Sequence, residues 1–446
     1  TAISEANLSN EGLVKAILRG GVALQEILSS QLVAEGQMIR RERSFEGIEI
    51  NYIQLDEYET EHRKASDKIT NILRYIIAFQ EAYVDKKVSE MDKEIAAEGE
   101  QVAKRGGTSQ AGVDSLPYFS KVFNVINQML FSIKANAVAD RAIMRLKEGK
   151  KPVIAFSSTM GSFIENMELE DGVSVKDGDT IRTDFSEVLR KGLEGVLRYT
   201  VYDADGEKRF ETFIVRELGA DAVHSYNHIV EEIDRVSSGI SISPIDNIIE
   251  KLEAAGYRVG EVTGRKYKIE FSGETGTIRN RKKVTTNDAF RKFNNNELDV
   301  LMINQSGSTG ASAHAIVTSK VPVEEVKQRV MIILQAELDI NTEVQKRGRI
   351  NRTGQILKPI YDYVTSAIPA EKRLMMMLQK KLKSLDANTT SNQKQSTNVF
   401  DVPDFLNKYG DKLAQEYLAE NPEINKLLGS PLSDGRPVAD GECESY

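Results

Sequence analysis

The chain contains no tryptophan, and its single cysteine, Cys443, stands in the C-terminal tail. That usage excludes a disulfide framework and any cysteine-based zinc cluster. Histidine is scarce as well, at four in 446 residues. His224 and His228 have i,i+4 spacing, with Glu231 and Glu232 one turn on, but no acid intervenes as in the H-E-x-x-H pattern. The pair reads as a surface helix feature, and no metal site is expected. No apolar run approaches the ~18 residues of a membrane span, and no signal-peptide pattern opens the chain. A cytoplasmic or otherwise intracellular setting is the expectation. The most telling absence is the phosphate loop G-x-x-x-x-G-K-[ST], found nowhere in the sequence. The stretch Gly260-Glu-Val-Thr-Gly-Arg265-Lys comes nearest but lacks the lysine–hydroxyl pair at its end. With no RNP-type aromatic motif either, readout of bases by stacking has little support.

What is present begins with length and charge. A chain of 446 residues predicts two to three domains with ample core. A net charge of −8 argues against a protein that coats nucleic acid generally. The acids concentrate at 57–61, 90–100 and 165–184, whereas 258–292 carries Arg265, Lys266, Lys268, Arg279, Arg281, Lys282, Lys283, Arg291 and Lys292. Such a strip fits backbone binding without sequence preference. A solvated basic face is the alternative.

Residues 8–37 have helical apolar spacing, and 44–55 reads as a strand. Residues 66–101 form a charged helical segment whose apolar face is Ile69, Ile72, Leu73, Tyr75 and Ile76. A flexible connection at 106–112 leads to a long helix over 118–146 and then to the apolar strand Lys151-Pro-Val-Ile-Ala-Phe156. Between 161 and about 218 the rhythm breaks. Turns at Asp171-Gly172, Asp177-Gly178 and Asp205-Gly206 suggest an inserted β-hairpin region. From Pro244 onward helices and short strands alternate, through Val330-Met-Ile-Ile-Leu334 and Tyr361-Asp-Tyr-Val364, as in a parallel α/β sheet. The expected organisation is an accessory region at 1–112, helical with short strands, and an α/β lobe at 113–385 with its insert at about 161–218. A C-terminal helical extension and tail follow at 386–446. The run Ile48-Glu-Ile-Asn-Tyr-Ile-Gln-Leu-Asp56-Glu57 imitates a strand ending in a catalytic acid pair. Without a phosphate loop upstream it is expected to be an edge strand with acidic exit residues.

Two motifs carry chemistry. The strand Asp299-Val-Leu-Met-Ile303 runs into Asn304-Gln-Ser-Gly307-Ser308-Thr309-Gly310-Ala-Ser312-Ala-His314-Ala. A strand, small hydroxylated residues and glycines, and an alanine-rich helix start make an anion site of free amides and helix dipole. Further on, Gln345-Lys-Arg-Gly348-Arg349-Ile-Asn-Arg352-Thr-Gly-Gln355 is expected to put Arg349 and Arg352 on one helix face, three residues apart. Forked, permanently charged guanidinium groups suit a transferring phosphoryl group.

In this order, Gly307-Ser-Thr-Gly310 and the 345–352 block resemble motifs V and VI of superfamily 2 helicases and translocases. Arg352-Thr-Gly-Gln355 is similar to the Swi/Snf-like branch, and within it to the C-terminal part of strawberry-notch-type helicases. Arg41-Glu-Arg-Ser-Phe-Glu-Gly47 resembles an accessory element of that family, and Gly149-Lys-Lys-Pro-Val-Ile-Ala-Phe-Ser-Ser-Thr159 its motif IV. Ser243-Pro-Ile-Asp246 and Glu261-Val-Thr-Gly-Arg265 match its "SPID" and "E-x-TGR" signatures. Leu385-Asp-Ala-Asn-Thr-Thr-Ser-Asn-Gln393 is similar to the stretch after motif VI.

The resemblance implies a RecA-like parallel-sheet lobe with a helical N-terminal region and an inserted β-rich segment. It implies ATP and Mg in a shared site held mostly by a first lobe, upstream on a longer precursor or on a separate chain; opening on Thr1 rather than methionine fits a processed chain. Arg349 and Arg352 would be arginine fingers, with Gln345 orienting them. Gly307, Ser308, Thr309, Gly310 and Gly348 would be cofactor-binding, with Gly307–Gly310 linking the nucleotide cleft to the nucleic-acid track. Ser158, Thr159, Thr263 and Arg265 would hold DNA or RNA backbone phosphates. Asn351 departs from the family's usual histidine and Ala311 from its frequent arginine, which puts coupling in question. The alternative is a helicase-derived structural or nucleic-acid-binding component of a larger nucleoprotein assembly, without ATPase activity.

Overall fold

The structure is a computed structural model that describes residues 48–98, 112–157, 175–202, 206–236, 240–304, 310–337, 339–389, 408–427, 430–433 and 436–437, with Leu32 and Ala34. The chain divides into two compact units, residues 1–398 and 399–446.

In chain order the first unit begins with β1 (Glu49–Gln54), α1 (Glu59–Phe79) and α2 (Asp85–Ala97), the two helices joined by a π turn at Gln80–Val84. Next come β2 (Asp114–Ser115), α3 (Phe119–Lys147) and β3 (Lys151–Ala155). They lead to β4 (Thr180–Arg182), α4 (Ser186–Gly195), β5 (Arg198–Tyr202), β6 (Lys208–Thr212) and α5 (Ala220–Arg235). The second half holds α6 (Pro244–Ala254), β7 (Val259–Val262), β8 (Tyr267–Ser272), β9 (Thr275–Asn280), α7 (Thr286–Asn294) and β10 (Val300–Ile303). It closes with β11 (Arg329–Ile333), α8 (Ile340–Arg347), β12 (Ile360–Thr365) and α9 (Pro369–Thr389).

Six parallel strands form the main sheet in the order β1-β12-β11-β3-β10-β7. Continuous apolar runs such as Val300-Leu-Met-Ile303 make such strands because both faces must be covered. Both faces of β10 and β11 are indeed buried. Phe131, Val138 and Ala142 of α3, with Ile248 and Leu252 of α6, pack on Ile154, Met302 and Ile332. Residues 48–54, grouped by sequence with the accessory region, supply the edge strand of this same sheet; Asn51 Nδ2 donates to Asp362 Oδ1 at 3.0 Å.

A second core lies beside the sheet. Ile69, Ile72, Leu73 and Ile76 of α1 pack with Val188 and Leu189 of α4 and Ile229 and Ile233 of α5. Tyr75, expected on the same apolar face, is instead 43% exposed and meets the ring of His228 at 5.9 Å. The long helix α3 serves both cores, through Val125 and Met129 toward its N-terminus and Phe131 onward in the sheet core. Two small antiparallel sheets, β2-β5-β6 and β4-β9-β8, complete this region. The expected insert is therefore partly helical, and β4 pairs with the distant β9. The β8–β9 hairpin turns at Gly273, whose φ of +64° favours glycine.

The second unit contains α10 (Lys408–Glu420), α11 (Pro422–Leu427) and a short pair, β13 (Leu432–Ser433) and β14 (Arg436–Pro437), with Leu418 packed on Leu432.

Candidate functional site

The expected anion loop leaves the carboxyl end of β10. Asn304 is buried there, and its Nδ2 donates to Thr263 O at 2.9 Å, tying β10 to the end of β7. Gly307, Ser308 and Thr309 lie outside the described residues, as do Ser158 and Thr159. The chain resumes at Gly310, exposed and at φ +84°. The alanine-rich stretch that follows does not form the expected helix start. Its carbonyls are taken up by other segments rather than by a helical turn. Ala311 O accepts from Arg349 Nη1 at 3.1 Å, and Ala313 O from Arg329 Nε at 2.9 Å. Ala313 N donates to Arg349 O at 2.7 Å, and Ile356 N to Ala315 O at 2.8 Å. The segments of the two sequence motifs are thus stitched together, and alanine side chains let the strands of loop approach.

Helix α8 starts on Asp339, whose Oδ2 accepts from Thr342 N at 3.0 Å and Thr342 Oγ1 at 2.6 Å. It stops at Arg347, with Gly348 as its C-cap. A Cβ at Gly348 would come within 3.3 Å of Gln345 O. Arg349 and Arg352 consequently lie past the helix end, which corrects the expectation of one shared helical face. Arg349 turns inward and is 9% exposed, while Arg352 is exposed with its Nε on Gly348 O at 3.2 Å. Burial, helped by the charge of Arg352, lowers the pKa of Arg349 below the usual guanidinium value. Gln345 is exposed on the helix.

What fixes this helix is a network the sequence did not announce. Glu343 is fully buried and accepts from Tyr363 OH at 2.8 Å, Glu337 N at 2.8 Å and Lys346 Nζ at 3.1 Å. Arg347 donates through Nε to Tyr363 OH at 2.6 Å, and its guanidinium lies over the rings of Tyr361 and Tyr363. Tyr52 of β1 stacks on Tyr363 with ring centroids 5.4 Å apart. The edge strand therefore braces the arginine segment.

Arg265, expected at a strand phosphate, is engaged otherwise. Its side chain is 3% exposed. Nη1 and Nη2 form a bidentate pair with Asp246 at 2.8 and 2.7 Å, and Nε meets Glu261 Oε1 at 2.7 Å. Arg281 reaches the other oxygen of Glu261 at 2.5 Å and Arg265 O at 2.8 Å. Asp246 also accepts from Ser243 Oγ at 2.5 Å and Ile269 N at 2.9 Å. Burial opposes the charge on Arg265, yet Asp246 and Glu261 hold its pKa above the usual value. Both signatures are thus spent on locking α6, β7 and the β8–β9 hairpin together, and Thr263 is buried beside them. The signal was available: Glu261 stands four residues before Arg265.

Much of the basic strip is neutralised in the same way, through Arg258–Asp299, Arg279–Glu270 and Arg291–Asp288, whereas Lys282 and Lys283 are exposed. Among the described residues, two further buried cations, like Arg349, are held without an ion-pair partner. Arg329 donates to the carbonyls of Ala313 and Lys327 and to Asn294 Oδ1. Lys151, its register partner, donates to Phe293 O, Asn296 Oδ1 and Leu298 O. Burial brings Arg329 down to about 10; burial and then Arg329 bring Lys151 down to about 6. Each opens an apolar strand in the sequence, a pattern that could have marked them. Asp56 pairs with Lys372 in an exposed contact, in keeping with an exit residue. His224 and His228 are both exposed, and no metal-holding cluster occurs among the described residues. No helix among them is long and apolar enough to cross a membrane.

Residues 243–426 match the family described as the C-terminal domain on Strawberry notch homologue. The chain is 25% identical over 194 residues to human Protein strawberry notch homolog 2, covering 41% of this chain and 14% of that protein. It is 26% identical over 216 residues to Protein strawberry notch of Drosophila melanogaster, covering 46% and 13%. Protein FORGETTER 1 of Arabidopsis thaliana is 26% identical over 202 residues, covering 44% and 14%. The chain spans a small fraction of the length of these curated relatives.

Proposed function

We propose that this chain, whose residues 243–426 match the C-terminal domain of strawberry notch homologues, is the second-lobe half of an ATP-dependent helicase or translocase. Its catalytic partner is a first lobe that carries the phosphate loop and holds most of the ATP and Mg site. Arg352 and Arg349 meet the charge developing on the γ-phosphate, and Gln345 lines the same edge. The Gly307–Gly310 loop relays that event toward a DNA or RNA backbone, with Ser158, Thr159 and the exposed Lys282 and Lys283 as backbone contacts. The supporting observation is the join between the two motif segments, Arg349 Nη1 on Ala311 O and Ala313 N on Arg349 O. A change at either segment is felt by the other.

The inward turn of Arg349 favours one second reading, a helicase-derived binding component without hydrolysis. The two separate on the native protein. Intact mass and co-purifying partners come first, then ATPase activity of the assembled species with and without Arg352→Ala. A phosphate-loop partner and loss of activity by about 10³ support the motor. A lone 49.7 kDa species would sink it and leave the binding role.

A further inference from the structure

The main sheet has a point where its order turns. After β3 the chain builds β7 and β10 on one side, then β11 and β12 on the other. In open α/β sheets, connections that diverge at such a point leave a crevice at the carboxyl ends of the strands. Here the crevice is a cavity of about 290 Å³ between the ends of β3 and β11, roofed by α3 and α9. Leu130, Leu334, Met375 and Leu378 wall it; of the motif residues above only Ser157, at the end of the motif IV strand, lines it, and its backbone N–H meets Gln335 Oε1 at 3.4 Å. Its size is near the lower end for ligand pockets, ~300 Å³, and its mostly apolar walls are of the usual kind.

Nearly every polar group around it is already engaged. Lys134 Nζ donates to Leu334 O, to Val364 O at 3.3 Å and to Glu371 Oε1 at 2.7 Å. Glu371 also accepts from Ser366 N at 3.0 Å. Asp339 is occupied as the cap of α8, and Lys346 is matched by Glu343. Glu337 is the exception among the described residues lining the cavity: its Oε1 is buried without a hydrogen-bond partner. A carboxylate oxygen withheld from water and left without a donor is costly, more so than a neutral group. With Lys134 matched by Glu371, Lys346 by Glu343, and Asp339 facing Lys381 at the exposed start of α8, the carboxylate of Glu337 gives the cavity a negative balance. That balance disfavours a phosphate or a nucleotide.

We propose that this cavity binds an alkylammonium group, with the carbon stem against Leu130, Met375 and Leu378 and an ammonium N–H donated to Glu337 Oε1. The group is carried either by a free amine or by a lysine side chain of a partner protein. The proposal is independent of the motor reading.

The test uses the full chain with ¹³C-methyl methionine, since the Met375 methyl reports from the cavity wall. Titration with n-pentylammonium is expected to move that resonance saturably, with n-pentanol binding about tenfold or more weakly. Glu337→Gln is expected to abolish the preference for the cation, and Leu378→Trp to block both probes. A blocked lysine, Nα-acetyl-lysine methylamide, distinguishes the sources: binding comparable to n-pentylammonium assigns the group to a protein side chain, and exclusion assigns it to a free amine. Equal binding of n-pentanol, an unchanged preference in Glu337→Gln, or no saturable shift would overturn the proposal.

Discussion

Two arginine-bearing regions look alike in sequence and differ in what answers their charge. At the ends of β10 and β11, Arg349 and Arg329 are held by backbone carbonyls, which fix a guanidinium without cancelling it. Beside β7, Arg265 and Arg281 are answered by the carboxylates of Asp246 and Glu261. The first arrangement leaves the guanidinium charge uncancelled; the second is closed and neutral. Which of two arginines can meet a phosphate is therefore decided less by its motif than by the charge of its nearest partner.

The comparison breaks most sharply at Arg352. If the chain works with a phosphate-loop lobe as proposed, Arg352→Ala is expected to lower ATP hydrolysis of the assembly by about 10³ while leaving the thermal melt of the chain unchanged, because the side chain is exposed. An equal loss of melting temperature would show that the open region is structural too. The reverse is expected beside β7. Arg265→Ala leaves a buried carboxylate pair short of its counter-charge and is expected to cost about 3–5 kcal/mol of stability in denaturant unfolding. A near-neutral result would mean that water enters the cluster and that its closure is not what holds the hairpin.

Smaller effects sharpen the picture. Tyr363→Phe removes the hydroxyl between Glu343 and Arg347 and is expected to cost about 1–3 kcal/mol, since the Glu343 carboxylate stays buried. Loss of activity in the assembled motor should accompany it if the edge-strand brace positions the arginine segment. A pH trend at Lys151 is a separate check. Its ammonium loses its proton near pH 6 when folded and only near ~10.4 when unfolded, so the unfolded chain binds more protons between those values. This group's contribution to stability therefore rises with pH across that window. Lys151→Met should flatten the trend, and identical pH profiles for the two proteins would contradict it.

The parallel sheet was readable because its strands carry short apolar runs, as in Val300–Ile303 and Val330-Met-Ile-Ile333, and the long helix over 118–146 because its spacing is regular. Residues 48–54 read as an edge strand, and their place beside β12 is the finding that pairing adds. What escaped depended on long-range partners. The hairpin of Tyr267–Ser272 and Thr275–Asn280 has clear alternation around Gly273, but the basic residues on it drew the reading toward phosphates. The helix that stops at Gly348 was extended through Arg352 because the offset of three fits a helix, although a glycine at that place is an ordinary terminator. Glu343 and Tyr363 are unremarkable until the fold sets them together. Gly307, Ser308, Thr309, Ser158 and Thr159 fall outside the described residues, so the geometry bears on their neighbours alone.

The strand at Glu49–Gln54 has one more consequence, and it concerns time. Asn51 and Asp362 are 311 positions apart, and every pairing of that strand is with the last strand of the sheet. At synthesis rates of ~5–20 residues per second, roughly a quarter of a minute to a minute separates their appearance from the ribosome. Throughout that interval the segment carrying Tyr52 has no sheet to join. The brace for the arginine segment thus arrives among the last long-range contacts of the sheet, after every other strand of it has been made.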